Sequence, residues 1–430
     1  MPVTLGLMMT VAKWRSIQPD RGLSCVGAIL IASAAALAVS GPVNAAVPGS
    51  RTKMAKHAVT FDPIPFTAIP GWSDDNQLAA WKAFLGSCGP TLKAAASGRS
   101  SNNRDAIKSL AGICRLALDA ANSGSVRTRQ DARRFFEAHF RPHRVFGSHA
   151  GGLLTGYYEP VLKGSRTKTS AFSVPIYRRP PDLVNVVAES ERGAKSAGAT
   201  HMRQTATGLQ PYLTRAEIDQ GGLEGQNLEL MYFKDPVDVF FMQVQGSGRV
   251  ELPDGNKVRV AYDGKNGYPY TSIGRVLIDA GEIGADAMSL KSLKHWLRTN
   301  RERAKPVMWK NQSYVFFHEL AGDNAKGPIG ANGIPLQPGR SLAVDTSYYA
   351  LGTPIFIDAP AVTHATKSGT FRRLMIAQDV GSAIKGPERG DIYFGSGDKA
   401  GRLAGITKQP GRFLVLLPID SPAATASGVP

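Results

Sequence analysis

The chain has 430 residues, with 51 Lys and Arg against 34 Asp and Glu, and carries a net charge of +17. Hydrophobic residues make up 43% and charged residues 20% of it, which is ordinary globular usage and excludes an intrinsically disordered chain. A single apolar run approaches membrane-spanning length, which excludes a polytopic membrane protein, and the length suits two or three domains.

The 46 Gly and 28 Pro favour many turns and short strands over a helical bundle. The excess positive charge suits an acidic partner: nucleic acid, anionic lipid or a carboxylate-rich bacterial cell wall. No helix-turn-helix pattern, RNP-like strand or Cys/His finger spacing is present, so nucleic acid is not an expected partner.

In chain order, Lys13, Arg15 and Arg21 precede the apolar stretch Leu23–Val39, and Val43-Asn44-Ala45 follows as a small-residue cleavage pattern. Residues 1–45 therefore read as a secretory signal and predict export to the periplasm, with an uncleaved anchor as the alternative. Cys25 lies ahead of the apolar core and cannot be a lipoprotein acceptor, so lipid anchoring is not expected; transient membrane association stays open. Residues 46–60 read as a polar linker and 418–430 as a Pro/Ala/Ser tail.

Helical pattern runs from 72 to about 140, through Gln77–Ser87, Asp105–Ala121 and Asp131–Phe140. Cys88 and Cys114 sit on the first two of these helices. In an oxidising compartment they are a candidate disulfide that would staple a helical hairpin; two free buried thiols are the alternative. From Gly151 the texture turns to short, Gly-punctuated strands. Val237–Val244 reads as a strand, and Leu252-Pro253-Asp254-Gly255 marks a hairpin turn inside Val250–Val260. Helices are expected at Ile273–Ala280 and Leu290–Arg298, and 181–208 reads as a polar excursion loop. Between 313 and 417 the pattern gives Tyr314–His318, Ser341–Val344, Pro354–Ile357, Arg372–Ala377, Ile392–Phe394 and Arg412–Leu417. Dense turn signals between these strands indicate a small barrel or sandwich rather than a βαβ sheet.

Asp345, Asp379 and Asp391 each stand at the end or beginning of an apolar strand, where a side chain reaches a cleft instead of the core. Carboxylates in such positions serve proton transfer, one held neutral while another stays ionised. Taken singly, each is better explained as turn or cap chemistry. The neighbouring segments make them informative.

Gly151–Pro160, Phe241–Val250, Tyr262–Arg275, Ser313–Glu319, Gly330–Gly352 and Leu374–Gly397 resemble the membrane-bound lytic transglycosylase A family, with its terminal three-aspartate (3D) domain. The combination of QVQGSG with AQDVGSAIKG and DIYFGSG is specific, and the blocks extend in family order through about 151–417. The resemblance implies a mainly β fold with N-terminal helices: a double-psi β-barrel domain, a second β-rich domain inserted at roughly 174–310, and a groove between them. The barrel would comprise 61–173, which includes the N-terminal helices, and 311–417.

The implied reaction cleaves the β-1,4 bond between N-acetylmuramic acid and N-acetylglucosamine in peptidoglycan, leaving a 1,6-anhydro end. The muramic acid C6 hydroxyl is the nucleophile, so one carboxylate can protonate the leaving oxygen and then accept the hydroxyl proton. Ordinary glycosidases need two. The family motif puts Asp391 in that general acid/base role, with Asp379 supporting it and Asp345 structural.

Tyr157, Tyr268 and Tyr393 are candidates for stacking on sugars, though each is equally readable as a core residue. Gln245 and Ser247 are candidates for hydrogen bonds to the glycan strand, and Lys385 for a substrate carboxylate. No cofactor is expected, and the acting unit is expected to be a monomer. His139, His143 and His149 do not complete a ligand set with any carboxylate, so no metal is expected. Two rivals remain: a hydrolytic glycosidase with Glu159 or Asp379 as second carboxylate, and a non-catalytic wall-binding module using the same groove.

Overall fold

The computed structural model describes residues 59–97, 103–146, 152–187, 200–321, 327–366 and 369–419. The signal segment, nearly all of the linker, most of the tail and His149 lie outside the described residues. The remainder is mainly β with several helices, as the sequence indicates.

Three helices come first: Gln77–Ala96, Arg104–Asn122 and Arg129–His139. Cys88 and Cys114 join the first two as a disulfide, with Cα atoms 5.0 Å apart. The third starts at a reciprocal cap between Thr128 and Asp131, which satisfies backbone donors that a helix N-terminus otherwise leaves open. Trp81, Phe84, Phe136 and Phe140 pack with Phe356, Leu374 and Ile376, so the N-terminal region covers one face of a large sheet. Asp75, just ahead of the first helix, is buried against that sheet. Its carboxylate accepts two hydrogen bonds from the Arg340 guanidinium, at 2.8 and 2.7 Å, and one from the Leu374 backbone N–H at 2.8 Å.

The large sheet has nine strands in the order Thr60–Pro63, Phe140–Phe146, Arg412–Pro418, Pro354–Ala359, Phe371–Asp379, Ser341–Val344, Arg389–Ser396, Leu153–Glu159 and Lys408–Pro410. Among the described residues this is an open series, with no ladder joining its two ends. Its second face gathers Leu154, Leu342, Ile355, Ile357, Met375, Ile392, Phe413 and Val415 into another core.

The chain leaves this sheet after Glu159 and, beyond Pro160, enters a six-stranded sheet. Its order is Val315–Glu319, Lys257–Lys265, Ser247–Glu251, Val161–Ser165, Glu229–Phe233 and Val174–Tyr177. Helices Pro236–Gln245, Ile273–Asp279, Leu290–Thr299 and Arg301–Trp309 belong to the same excursion, which ends when Ser341–Val344 rejoins the first sheet. The polar stretch 181–208 contributes to a small three-stranded sheet of Leu183–Asn185, His201–Thr205 and Gly208–Gln210, with 188–199 outside the described residues.

One expected strand is a helix. Val237–Val244 is helical, inside Pro236–Gln245. The Asp235 carboxylate accepts the Val237 N–H at 2.8 Å, Pro236 stands in the first turn, and Gly246 closes the helix at φ +76°. Caps at both ends override the strand-like composition. The helix is buried through Val237, Val239, Phe240, Phe241 and Met242, and its exposed positions include the apolar Pro236 and Val244, which blurs the helical period.

Candidate active site

Two adjacent strands build the site. Leu153–Glu159 runs parallel to Arg389–Ser396, with Thr155 opposite Asp391 and Tyr157 opposite Tyr393. Side chains alternate across a strand, so Leu154 and Ile392 enter the core while Thr155, Tyr157, Asp391 and Tyr393 share the other face. Gly156 between them has no room for a side chain: a Cβ there would stand 2.4 Å from the Phe394 ring and 2.8 Å from the Ala404 backbone. Its absence lets the helix Gly397–Ile406 lie on both strands.

Asp391 is half-buried. The Thr155 hydroxyl donates to its Oδ1 at 2.6 Å. Desolvation raises its pKa to about 6, against lowering by Thr155 and Arg389, with the charge of Asp379 adding a further rise. A carboxyl with that pKa keeps a proton to give at mildly acidic pH and can take one back.

Asp379 ends the strand Phe371–Asp379. The next strand over, Ser341–Val344, pairs with both carboxylate strands, and its Ala343 stands opposite Asp379 on one side and Asp391 on the other. The Asp379 carboxylate accepts the Tyr157 hydroxyl at 2.8 Å and the backbone N–H groups of Ala331 and Val380 at 3.0 and 2.9 Å. Burial pushes its pKa up while these three bonds pull it down. The Tyr157 phenol, facing Asp379, is driven well above the usual tyrosine range, chiefly by desolvation.

The other residues singled out from the sequence are placed as follows. Tyr393 is 1% exposed, and its ring lies 5.3 Å from that of half-buried Tyr157. Gln245 accepts the Tyr158 backbone N–H at 3.0 Å, joining the end of helix Pro236–Gln245 to the site strand. Ser247 opens the strand Ser247–Glu251, opposite Ala261. Tyr268 donates to the Tyr212 carbonyl at 3.1 Å, within the excursion. Lys385 is exposed on the loop between Asp379 and Arg389. Asp345 is 1% exposed and spends its carboxylate on the backbone N–H groups of Ser347 and Gly386, at 3.0 and 2.9 Å, which ties down that same loop.

Glu159 is fully buried at the far end of the site strand. Arg259 reaches both of its oxygens, at 2.5 and 3.1 Å, and Ser396 donates to one of them at 2.5 Å. Arg259 comes from Lys257–Lys265, so the pair fastens the two large sheets together. His139 packs its ring on Phe135, His143 is buried, and no cluster able to hold a metal occurs among the described residues.

Thr155 and Arg389 went unnoticed in the sequence as parts of the site. Thr155 lies 236 residues from its carboxylate partner, and only the parallel register brings them together.

Comparison with known proteins places the chain in a defined class. Residues 153–318 match the MltA specific insert domain and 340–417 match the 3D domain. The membrane-bound lytic murein transglycosylase A of Vibrio cholerae is 37% identical over 282 residues, which cover 65% of this chain and 68% of that protein. The crystal structure of a membrane-bound lytic murein transglycosylase from Agrobacterium tumefaciens superposes with a TM-score of 0.75 at 35% identity, covering 86% of this chain and all of that one. Escherichia coli MltA with bound chitohexaose gives a TM-score of 0.57 at 28% identity, covering 85% of this chain and 93% of that one. The chain belongs to the membrane-bound lytic murein transglycosylase A family.

Proposed function

We propose that this protein is a peptidoglycan lytic transglycosylase that cuts the β-1,4 bond between N-acetylmuramic acid and N-acetylglucosamine. The observation that carries the reading is Asp391: a carboxyl raised to about 6 by desolvation, with no cation among the described residues bonded directly to it, on a face flanked by Tyr157 and Asp379. It begins protonated and gives that proton to the glycosidic oxygen as the C1–O bond breaks. The muramic acid C6 hydroxyl then attacks C1, and its proton returns to Asp391. The enzyme ends as it began, the sugar closes as a 1,6-anhydro ring, and no water is consumed.

Asp379 holds Tyr157 in place and supplies negative charge near the developing oxocarbenium. Tyr157 is assigned the sugar-facing ring, with covered Tyr393 backing it. The E. coli relative has been captured with chitohexaose, and we assign the same ligand chemistry here, a β-1,4-linked amino-sugar strand.

We read the nine-stranded sheet as a double-psi barrel and draw the inserted domain at 161–319, since the chain leaves the first sheet at Pro160. Its limits are wider than the 174–310 suggested by the sequence. Gln245 and Ser247 then line the groove from the insert side. We place the protein in the cell envelope, exported to the periplasm and acting as a monomer. No described helix is long and apolar enough to cross a membrane. The hydrolytic alternative loses one of its two candidate bases, because both Glu159 oxygens are occupied by Arg259 and Ser396.

The test is incubation of the purified protein with sacculi, followed by mass spectrometry of the released muropeptides. Ends one water lighter and inert to borohydride are expected. Reducible ends would establish a hydrolase, and tight binding without release would establish a binding module.

A further inference from the structure

Arg389 stands two residues before Asp391 on the same strand and is half-buried. Its Nη2 donates to the Thr155 hydroxyl oxygen at 2.8 Å, and its Nη1 donates to the Gly390 carbonyl at 2.6 Å and to the Leu153 carbonyl at 3.4 Å. The guanidinium therefore grips the backbone of both site strands beside the carboxyl.

The direction of this chain of bonds follows from chemistry alone. A guanidinium only donates, so the Thr155 oxygen must accept from Arg389. The single hydroxyl hydrogen is then free for the other contact, 2.6 Å away, and Asp391 Oδ1 must accept it. An oxygen facing a donated hydrogen cannot hold its own proton in that direction. A carbonyl-type oxygen accepts better than a hydroxyl oxygen, so this hydrogen bond favours the acidic proton of Asp391 on Oδ2.

We propose that Arg389 is a positioning residue which, acting through Thr155, fixes Oδ2 as the oxygen that exchanges the proton with substrate. The inference rests on Asp391 being the general acid/base and deepens that reading. In balanced form, Oδ2–H passes its proton to the glycosidic oxygen, the C1–O bond breaks, and the C6 hydroxyl proton returns to Oδ2 as the C6 oxygen bonds to C1. Oδ1 keeps the Thr155 hydrogen bond throughout. Neither Arg389 nor Thr155 changes protonation.

The experiment uses Arg389→Met, Thr155→Val and their combination in the full-length protein, with Arg389→Lys as the conservative variant and thermal melting to check folding. Two readouts are taken: kcat/KM against pH on soluble glycan fragments, and the titration of Asp391 followed by carboxyl 13C NMR. In the wild type, Arg389 and Thr155 both lower the Asp391 pKa. Each single variant should lose about three- to tenfold in kcat, and its falling alkaline limb and NMR midpoint should move up together by about half a pH unit or more. The double variant should lose little beyond either single one, because Arg389 acts through Thr155. Arg389→Lys should recover part of the shift.

A merely structural arginine would lower activity and melting temperature while leaving limb and midpoint in place. That result, or fully additive losses in the double variant, overturns the proposal. The NMR midpoint is read without turnover. A protein that releases no anhydro product yet shows the shift would refute the enzymatic reading while preserving the Arg389–Thr155–Asp391 linkage.

Discussion

Glu159 and Asp391 are carboxylates on neighbouring paired strands, both withdrawn from water, and they meet opposite fates. Glu159 is met by Arg259 in a two-point ion pair, by the Ser396 hydroxyl and, at 3.9 Å, by Arg249, so both oxygens are occupied and cations stand directly against them. Asp391 has a neutral hydroxyl on one oxygen, with its nearest described cation one hydrogen bond further out. Burial with a partner makes a fastener between sheets; burial without one makes a group that holds and releases a proton near neutrality. The difference lies in whether a guanidinium reaches the oxygens directly.

The strongest way to break this comparison is Asp391→Asn, which should lower cleavage of sacculi by 10³-fold or more, at the scale of a lost general acid. Near-wild-type release from a folded Asn variant would remove Asp391 from the mechanism. Glu159→Gln should act on stability instead. It strands Arg259 in the interior, for a cost of about 3–5 kcal/mol, seen in chemical denaturation.

Asp391→Asn should do the reverse. The folded pKa of about 6 exceeds the ordinary 3.8, so the folded state binds the proton more tightly between those values. Wild-type stability therefore falls as pH rises through that window, by up to about 3 kcal/mol. The Asn variant lacks this loss and should melt higher than wild type above pH 6, with the gain vanishing below pH 4. Equal melting temperatures at both ends of the window would mean that Asp391 is not desolvated.

In the wild type, kcat/KM should decline as pH rises through about 6, where the acid loses its proton. Asp379→Asn sharpens the assignment with the smallest effect. Removing its negative charge should draw the declining limb towards lower pH by a fraction of a unit, since Asp379 contributes to the rise at Asp391.

Much of the site could be read from the chain. Apolar strands that end or begin with aspartate mark Asp379 and Asp391, and the combination of QVQGSG with AQDVGSAIKG and DIYFGSG points to the family. Pairings across long separations could not be read. Glu159 and Arg259 lie 100 residues apart and Thr155 and Asp391 lie 236 apart, and nothing in either local segment points to its partner.

Two helices were missed for local reasons. Arg301–Trp309 contains Pro306, and Gly397–Ile406 lies in a glycine-rich stretch that reads as a loop. The strand reading of Val237–Val244 failed because the exposed side of this helix carries the apolar Val244, so its composition gives no clear helical period.

The strand Arg412–Pro418, close to the end of the chain, pairs on one side with Phe140–Phe146 and on the other with Pro354–Ala359. It is therefore an interior member of the sheet that carries both site aspartates. Without it, Phe140–Phe146 and Pro354–Ala359 have no strand between them. Pairing across some 270 residues also makes its docking a late step on grounds of loop closure. The strand's Phe413 and Val415 also fill the core that Ile392, next to Asp391, enters. A cut between Arg389–Ser396 and Arg412 therefore deprives the sheet that holds Asp379 and Asp391 of an interior strand without touching either carboxylate.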